Sequence, residues 1–600
     1  MIRSFFITSL VLLSGCLQPE GTGLALSEGS GARVNFDVYH KPLPEIPLPN
    51  DFATTFDATT LTRRRVNASM EAPTRWERHT RAALDRLDGW GTYQTITVSF
   101  DRLLDLQNLI ARHQGDDYDP ADDAAYLINI TRESPTFCER VPLDLGEGNF
   151  PVVLERPGYF DNDRPGDNLL FDDREEDLNG NGVLDPGEDL DMDGVLDHPN
   201  TLNPGDSSFE MLTFYERETN TLLLKPVTPL EERSTYAVVL TKRLVDVDGK
   251  PVRSPFHYVN HTAQTAALEP LVDCLPRFGL GVEDLAFTWS YTTQSVTADY
   301  VAIRDGLYGL GPMQRLATEF PARIKTLLPL REQSAGSNVF IVPSEAVIGS
   351  ALAALEALQG GLTPSLQEVR NSHEWIDYHA VFQYESPQFF RREDSAGKPL
   401  PIYEQLFEVD PITGAAFTRP ETVTVWVVVP KRRPADGPPP AVILGHGYTS
   451  NKLEALYYGG FLARFGIATI ALENVSHGLS LSTEEHALAK GLFTNQGLGR
   501  MFSAIVDESR AFDQNGDGRK DSGADFWTSY ILHTREVVKQ SAIDYMQLVK
   551  LLRSFDGQTR GDLDVNRDGV KDLAGDFDGD GVVDVGGDAR LSIMGGSLGG

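Results

Sequence analysis

Positive charge is what this chain has least of for its size. Lys and Arg number 53 against 87 Asp and Glu in 600 residues, a net charge of -34. Nucleic acid needs a basic footprint to neutralise its phosphates, so DNA and RNA are excluded as partners. Long apolar runs are lacking too: Phe5 to Leu13 is too short to span a bilayer, and no later segment is longer and equally apolar. Cysteine is scarce, with only Cys16, Cys138 and Cys274. What is present is an ordinary globular composition, 41% hydrophobic and 23% charged. Its length is too great for one core, so two or three domains are expected.

The N-terminus carries one charge at Arg3, the apolar run, and then Leu13-Ser14-Gly15-Cys16. This is the layout of an export signal. Leu-Ser-Gly-Cys resembles the lipobox of bacterial lipoproteins, which implies that Cys16 becomes the lipidated first residue and anchors the chain to a membrane. Leu17 follows where inner-membrane retention favours aspartate, so the resemblance implies the outer membrane, periplasmic or surface-facing. An ordinary cleaved signal is the alternative. With Cys16 set apart, Cys138 and Cys274 allow one pairing in an oxidising compartment; a disulfide or two buried free thiols are both open.

Residues 17–34 are rich in Gly and Ser and read as a flexible tether. Strand signals follow. Ile96, Val98 and Phe100 alternate with polar residues, as do Tyr236, Val238 and Leu240, and Met211 to Tyr215 with Thr221 to Leu224 predict a hairpin. Asp246-Val-Asp-Gly249 supplies a turn. Four short pieces, Pro47 to Asp51, Leu224 to Leu230, Thr235 to Leu240 and Phe287 to Ser295, resemble the N-terminal region of bacterial outer-membrane lipoprotein lipases. That resemblance implies an immunoglobulin-like β region over 35–310 ahead of an α/β-hydrolase domain.

Helical spacing over Ser295 to Tyr308 and Ser344 to Leu358 predicts a helical connector over 311–370. Strands are then expected at Ile376 to Phe382, Val423 to Val429, Ala441 to Leu444 and Ile467 to Leu472, with a helix from Lys452 to Phe465. The continuous apolar runs and the strand, helix, strand order predict a mostly parallel sheet in an α/β domain over 371–600. A long amphipathic helix is predicted from Phe526 to Ser554. Leu479 to Asp525, with Leu492, Phe493, Leu498, Met501 and Phe502, is a candidate lid over an acyl-binding cleft.

Five acidic loops interrupt this pattern. Asp177, Asn179, Asn181, Asp185 and Glu188 occupy the oxygen-ligand positions of a twelve-residue EF-hand-type loop, with Gly182 at the turn and the Val183 carbonyl next. Asp189, Asp191, Asp193, Val195 and Asp197 repeat it, with Asn200 in place of the terminal glutamate. Partial copies are Asp513, Asn515, Asp517 and Asp521; Asp564, Asn566, Asp568 and Asp572; and Asp576, Asp578, Asp580 and Asp584. Their last ligand has to come from elsewhere, with Asp525 and Asp588 as candidates. Carboxylates at this density repel unless a hard cation sits among them, so structural Ca²⁺ is expected. Solvated acidic turns are the alternative.

The chain ends on Leu591-Ser-Ile-Met-Gly-Gly-Ser-Leu-Gly-Gly600, in which Gly595 to Gly599 fits G-x-S-x-G, the strand-to-helix turn of a serine nucleophile. Ser597 is the candidate nucleophile. Gly445-His446-Gly447-Tyr448 follows an apolar strand and resembles the oxyanion loop of α/β-hydrolases, which implies backbone donors at Tyr448 and Leu598 and loop support from His446. In that fold the acid and histidine of the triad follow the nucleophile. They are therefore expected beyond residue 600, in a domain cut after its nucleophile turn.

The sequence thus reads as a calcium-stabilised, lipid-anchored ester hydrolase, a lipase, lysophospholipase or carboxylesterase, whose partners are an ester or lipid substrate and a membrane. A peptidase or polysaccharide esterase on the same fold is the near alternative. A calcium-dependent surface binding protein with an inactive hydrolase domain is the distant one.

Overall fold

The computed structural model describes residues 22–41, 44–114, 120–146, 175–189, 194, 196–203, 212–326, 340–358, 364–398, 400–435, 437–513, 517–526, 528, 530–561, 564 and 568–599. Cys16, Asp191, Asp193, Val195, Asn515 and Asn566, with the expected signal segment, lie outside them. The chain divides into two compact units, Met1–Val296 and Thr297–Gly600. Among the described residues no helix is long and apolar enough to cross a membrane.

The first unit holds β1 (Thr54–Phe56), β2 (Arg64–Val66), β3 (Ile96–Ser99), β4 (Ala125–Asn129), β5 (Arg140–Val141), β6 (Leu143–Asp144), β7 (Tyr215–Glu216), β8 (Thr221–Pro226), β9 (Thr235–Thr241) and β10 (Leu285–Thr292). One antiparallel sheet runs β10-β9-β4-β5; a second runs β3-β8-β6, with β7 also on β8. The two share a core. Ile96, Val98, Leu222 and Leu224 from one sheet meet Tyr236, Val238, Leu240 and Trp289 from the other, at about 1.5–3 kcal/mol for each large apolar side chain removed from water. Strands β3 and β8 alternate buried and half-buried residues, as their spacing predicts.

Strand β9 differs, because it is buried on both faces. Its second face, Ala237 and Val239, packs with Leu268 and Leu271 of the helix Thr265–Cys274. That helix is joined to the loop after β4 by a disulfide between Cys138 and Cys274. The hairpin of β7 and β8 turns at Asn220, at φ 51. The segment Pro47 to Asp51 meets β10 in space: the Trp289 indole donates to the Pro49 carbonyl (2.8 Å) and Asp51 accepts from the Thr292 N–H (2.9 Å).

The second unit is built on β11 (Ile324–Thr326), β12 (Phe340–Pro343), β13 (Ile376–Gln388), β14 (Arg419–Pro430), β15 (Ala441–Gly445), β16 (Ala468–Leu472) and β17 (Leu591–Gly595). The strand order is β11-β13-β14-β16-β15-β17, with β12 on β13. The expectation of a mostly parallel sheet needs correcting. Among the described residues only β16, β15 and β17 run parallel, and every other pairing is antiparallel. Continuous apolar runs report burial of both faces, which an antiparallel strand covered by helices meets equally well.

Burial of both faces is what the side chains show. Trp426, Val428, Leu444 and Ala471 lie on one face with Ala455 and Leu456 of the helix Glu454–Ala463. Val425, Val427, Ile443 and Ile470 lie on the other with Leu548, Leu551 and Leu552 of the helix Ile531–Arg553. That helix starts later than the pattern from Phe526 suggested.

Residues 311–370 are not a purely helical connector, since they supply β11 and β12 to this sheet. The unit also begins earlier than expected, because Ala302, Ile303 and Leu307 of the helix Ala298–Leu307 pack with Phe389, Val475 and Val537. The expected lid residues Phe493, Leu498, Met501 and Phe502 are likewise buried, in the core against Ala455 and Leu456. Their apolar surface is used in packing and does not face an open cleft.

Candidate active site

Strands β15, β16 and β17 are parallel, so their carboxyl ends open on one side of the sheet. Crevices at such ends are where open α/β sheets bind ligands. Each strand there is followed by a non-glycine residue in the left-handed region: Thr449 at φ 62, Ser476 at φ 68 and Ser597 at φ 55. Such backbone costs on the order of 1–3 kcal/mol per residue and clusters at functional sites.

Ser597 stands two residues beyond β17 and opens a short helical turn, Ser597–Gly599. It is exposed. The glycines around it have unequal roles. A Cβ at Gly599 would lie 2.1 Å from the Gly445 carbonyl oxygen, and one at Gly445 would lie 2.5 Å from the Gly599 oxygen, so the end of β15 and the turn after Ser597 touch through backbone alone. A Cβ at Gly596 would meet nothing within 4 Å. The loop Gly445-His446-Gly447-Tyr448 is thereby brought beside the turn, with Gly447 against Gly596 and Ser597. Tyr448 and Leu598 are both partly exposed here.

His446 supports this loop. Its Nε2 accepts the Asn474 N–H (3.0 Å), which leaves Nδ1–H to donate to the Gly447 carbonyl (2.9 Å). Burial lowers its pKa to about 4, so the ring is neutral at neutral pH. His477 packs on it, ring centroids 5.0 Å apart, and its Nδ1 bonds the Val475 carbonyl (2.9 Å). Burial depresses its pKa also. Among the described residues no histidine is hydrogen-bonded to the Ser597 hydroxyl.

Sequence reasoning missed the charges that brace the site. Lys452 and Glu473, both buried, pair at 2.7 Å between the loop after β15 and the end of β16, and Lys452 also donates to the Ile505 carbonyl (2.9 Å). Arg510 reaches Asp544 (2.6 Å), Glu421 (3.0 Å) and the Glu473 carbonyl (3.0 Å). Nothing local in the sequence marks these as partners, since each lies tens of residues from the next. Asp525, a candidate last ligand of the Asp513 loop, is instead committed to Arg392 and His533, each at 2.9 Å.

Four of the acidic loops share one winding. Backbone N–H groups of Gly182, Gly518, Gly569 and Gly581 donate to the first carboxylate of their loops, Asp177, Asp513, Asp564 and Asp576, and all four glycines have positive φ. In the first loop Asn179 and Asn181 donate to Asp185, and Asn179 also to Glu188. Among the described residues the one group of three or more His, Cys, Asp or Glu with ligand atoms within 4.8 Å of one another is Asp576, Asp578 and Asp584. Asp189, Asp197, Asp517, Asp521, Asp568, Asp572 and Asp580 join no such group.

No protein-family model matches the chain, and no curated protein matches it either. Among solved structures, a cold-adapted esterase from an Arctic intertidal metagenomic library is similar over 20% of this chain and 38% of its own, at 16% identity and a TM-score of 0.10. The rice cell wall degrading esterase LipA from Xanthomonas oryzae is similar over 30% of this chain and 37% of its own, at 14% identity and a TM-score of 0.12. The chain thus spans well under half the length of either esterase.

Proposed function

We propose that this protein is a serine hydrolase of carboxylic esters, of the lipase or esterase kind, with an immunoglobulin-like first unit and an α/β-hydrolase second unit. The observation that carries this is Ser597, exposed at φ 55 two residues beyond β17, in a turn packed through glycine backbone on the end of β15. A strained strand-to-helix corner lifts a serine hydroxyl clear of its own backbone, as nucleophilic attack requires. Ser597 Oγ attacks the ester carbonyl, its proton passes to a base and the alcohol leaves; water then releases the acid. Backbone N–H groups of Tyr448 and Leu598 are the donors assigned to the oxyanion. The proposal includes a lipid at Cys16, placing the protein in the bacterial outer membrane beside ester or lipid substrates.

The test is labelling with a fluorophosphonate, which reacts only with an activated serine, followed by mass spectrometry of the peptide. Label on Ser597, lost in Ser597→Ala, is expected. A folded, calcium-loaded protein from its native host that takes no label refutes the hydrolase and favours the calcium-dependent binding protein.

A further inference from the structure

We propose that the second unit docks on an anionic lipid surface through an aromatic and basic patch at the amino end of its parallel strands. The helix Glu454–Ala463 carries the first observation. Its one charged residue is Glu454, and it is apolar on both sides. Ala455, Leu456, Gly459, Gly460 and Ala463 are buried beneath it. Opposite them, at i, i+3 and i+7, Tyr458 is 49% exposed, Phe461 45% and, just past the helix, Phe465 71%. At about 3.6 residues per turn the two stripes point in opposite directions, so the aromatic one faces away from the sheet. A helix apolar all round belongs in a core or against lipid, and here the core takes only one side. Trp375, 40% exposed, extends the aromatic stripe, with the Arg464 guanidinium 6.0 Å from its ring centroid.

Charge is the second observation. The Lys431 N–H donates to the Trp375 carbonyl (3.0 Å), and a Cβ at Gly466 would lie 2.9 Å from the Arg432 carbonyl oxygen. Arg464, Lys431 and Arg432 are all exposed, and the one acid in the same short segments is Glu374. On a chain of net charge -34 this is a local reversal of sign. Aromatic rings with Arg and Lys beside them suit the boundary of a bilayer, where rings enter the acyl region and cations meet lipid phosphates. A second copy of the chain is a poorer match, because a two-fold contact here crowds the same three cations together.

The patch and Ser597 lie at opposite ends of the sheet. Strand β15 runs from Ala441, paired with Ala468 at the start of β16, to Gly445 beside the Ser597 turn. Phe465 stands three residues before Ala468. Strand β14 pairs Val428 with Thr469 and reaches Pro430 opposite Ile376, which brings Lys431 and Trp375 to that same end. Nothing in this docking depends on the reaction at Ser597.

The test uses the full chain and vesicles of phosphatidylglycerol with brominated acyl chains, read through tryptophan fluorescence. Bromine quenches only near contact, so a tether at Cys16 alone does not produce the signal. Wild type is expected to be quenched, and Trp375→Phe to lose that share of the quenching. Phe461→Ser and Phe465→Ser point to solvent and are expected to leave Tm unchanged while raising the lipid concentration at half-maximal quenching about tenfold each. Arg432→Gln and Arg464→Gln are expected to raise it about fivefold each and to narrow the preference over phosphatidylcholine vesicles. Equal quenching in wild type and Trp375→Phe overturns the docking, as does lipid binding indifferent to all four other changes. Dimerisation that Phe465→Ser abolishes, with no quenching by lipid, also overturns it and assigns the patch to a second copy.

Discussion

A single methyl group at Gly445 is a sharp probe of how the turn at Ser597 is held. In Gly445→Ala the new Cβ meets the Gly599 carbonyl oxygen at 2.5 Å and the Gly599 Cα at 3.1 Å. Both obstacles are backbone, and Gly445 is fixed by its register with Gly595, so no side chain can rotate aside. Overpacking of this kind costs about 1–3 kcal/mol. In a unit of this size that lowers Tm by roughly 2–4 °C for each kcal/mol. Function is expected to suffer more than stability, because relief requires the Ser597 turn and the His446 loop to move apart by the better part of an ångström, and a misplacement of about 1 Å costs on the order of 100-fold in rate.

Gly596→Ala is the control. Its Cβ meets nothing within 4 Å, and Gly596 is not among the positive-φ glycines, so a change within about 0.5 kcal/mol is expected. Fluorophosphonate labelling rates and melting curves of the two variants, read side by side, are the assay. Equal rates and equal Tm for Gly445→Ala and Gly596→Ala would refute the claim that backbone contact between β15 and the turn positions the serine.

Acidification tests the neutral state of His446. Burial lowers its pKa from 6.5 to about 4, so the unfolded chain takes up a proton first as pH falls below 6.5; stability is full above that value and is lost down to about pH 4, with about 2 kcal/mol gone by pH 5. Urea midpoints at pH 7 and pH 5 check this, and an equal pH dependence in His446→Gln would exclude it. Lys452→Met is expected to cost about 3–5 kcal/mol by leaving Glu473 buried without its cation, with most of it recovered in the Lys452→Met, Glu473→Leu double variant; a single-variant loss below about 1 kcal/mol in urea unfolding would count against it. Replacing Cys138 and Cys274 by Ala reopens a loop of sequence separation 136, and calorimetry is expected to show the first unit weakened by about 2–5 kcal/mol.

Local pattern made some of this legible. Strands β3, β8, β15 and β16 were visible because alternation or unbroken apolar runs reflect which faces are buried. Strands β13 and β14 are longer than their apolar centres, since the polar ends Ser386 to Gln388 and Arg419 to Glu421 gain their places only through partners such as Asp544 and Arg510. Strands β11 and β12 are too short to show a period. The direction of pairing was illegible in principle, because an apolar run does not say which way its neighbour runs. For the same reason Leu498, Met501 and Phe502 looked like the inner face of a lid when they are core.

At the site, the sequence exposes those residues whose neighbours along the chain are constrained and hides those whose neighbours are constrained only in space. Ser597 and His446 stand out because glycines must flank them where backbones touch, and that demand is written within a few residues. Lys452, Glu473 and Arg510 carry no such mark. Their requirement is for an opposite charge on another element, and any Lys, Glu or Arg elsewhere in the chain would read the same. The acidic loops fall between these cases. Their spacing announces oxygen ligands five times over, but whether the carboxylates converge depends on what packs around them. Among the described residues one group of three carboxylates, Asp576, Asp578 and Asp584, comes within 4.8 Å of one another, beside Arg433, which stacks on Tyr378. Motif spacing therefore nominates a metal loop, and packing decides how near its carboxylates stand to one another.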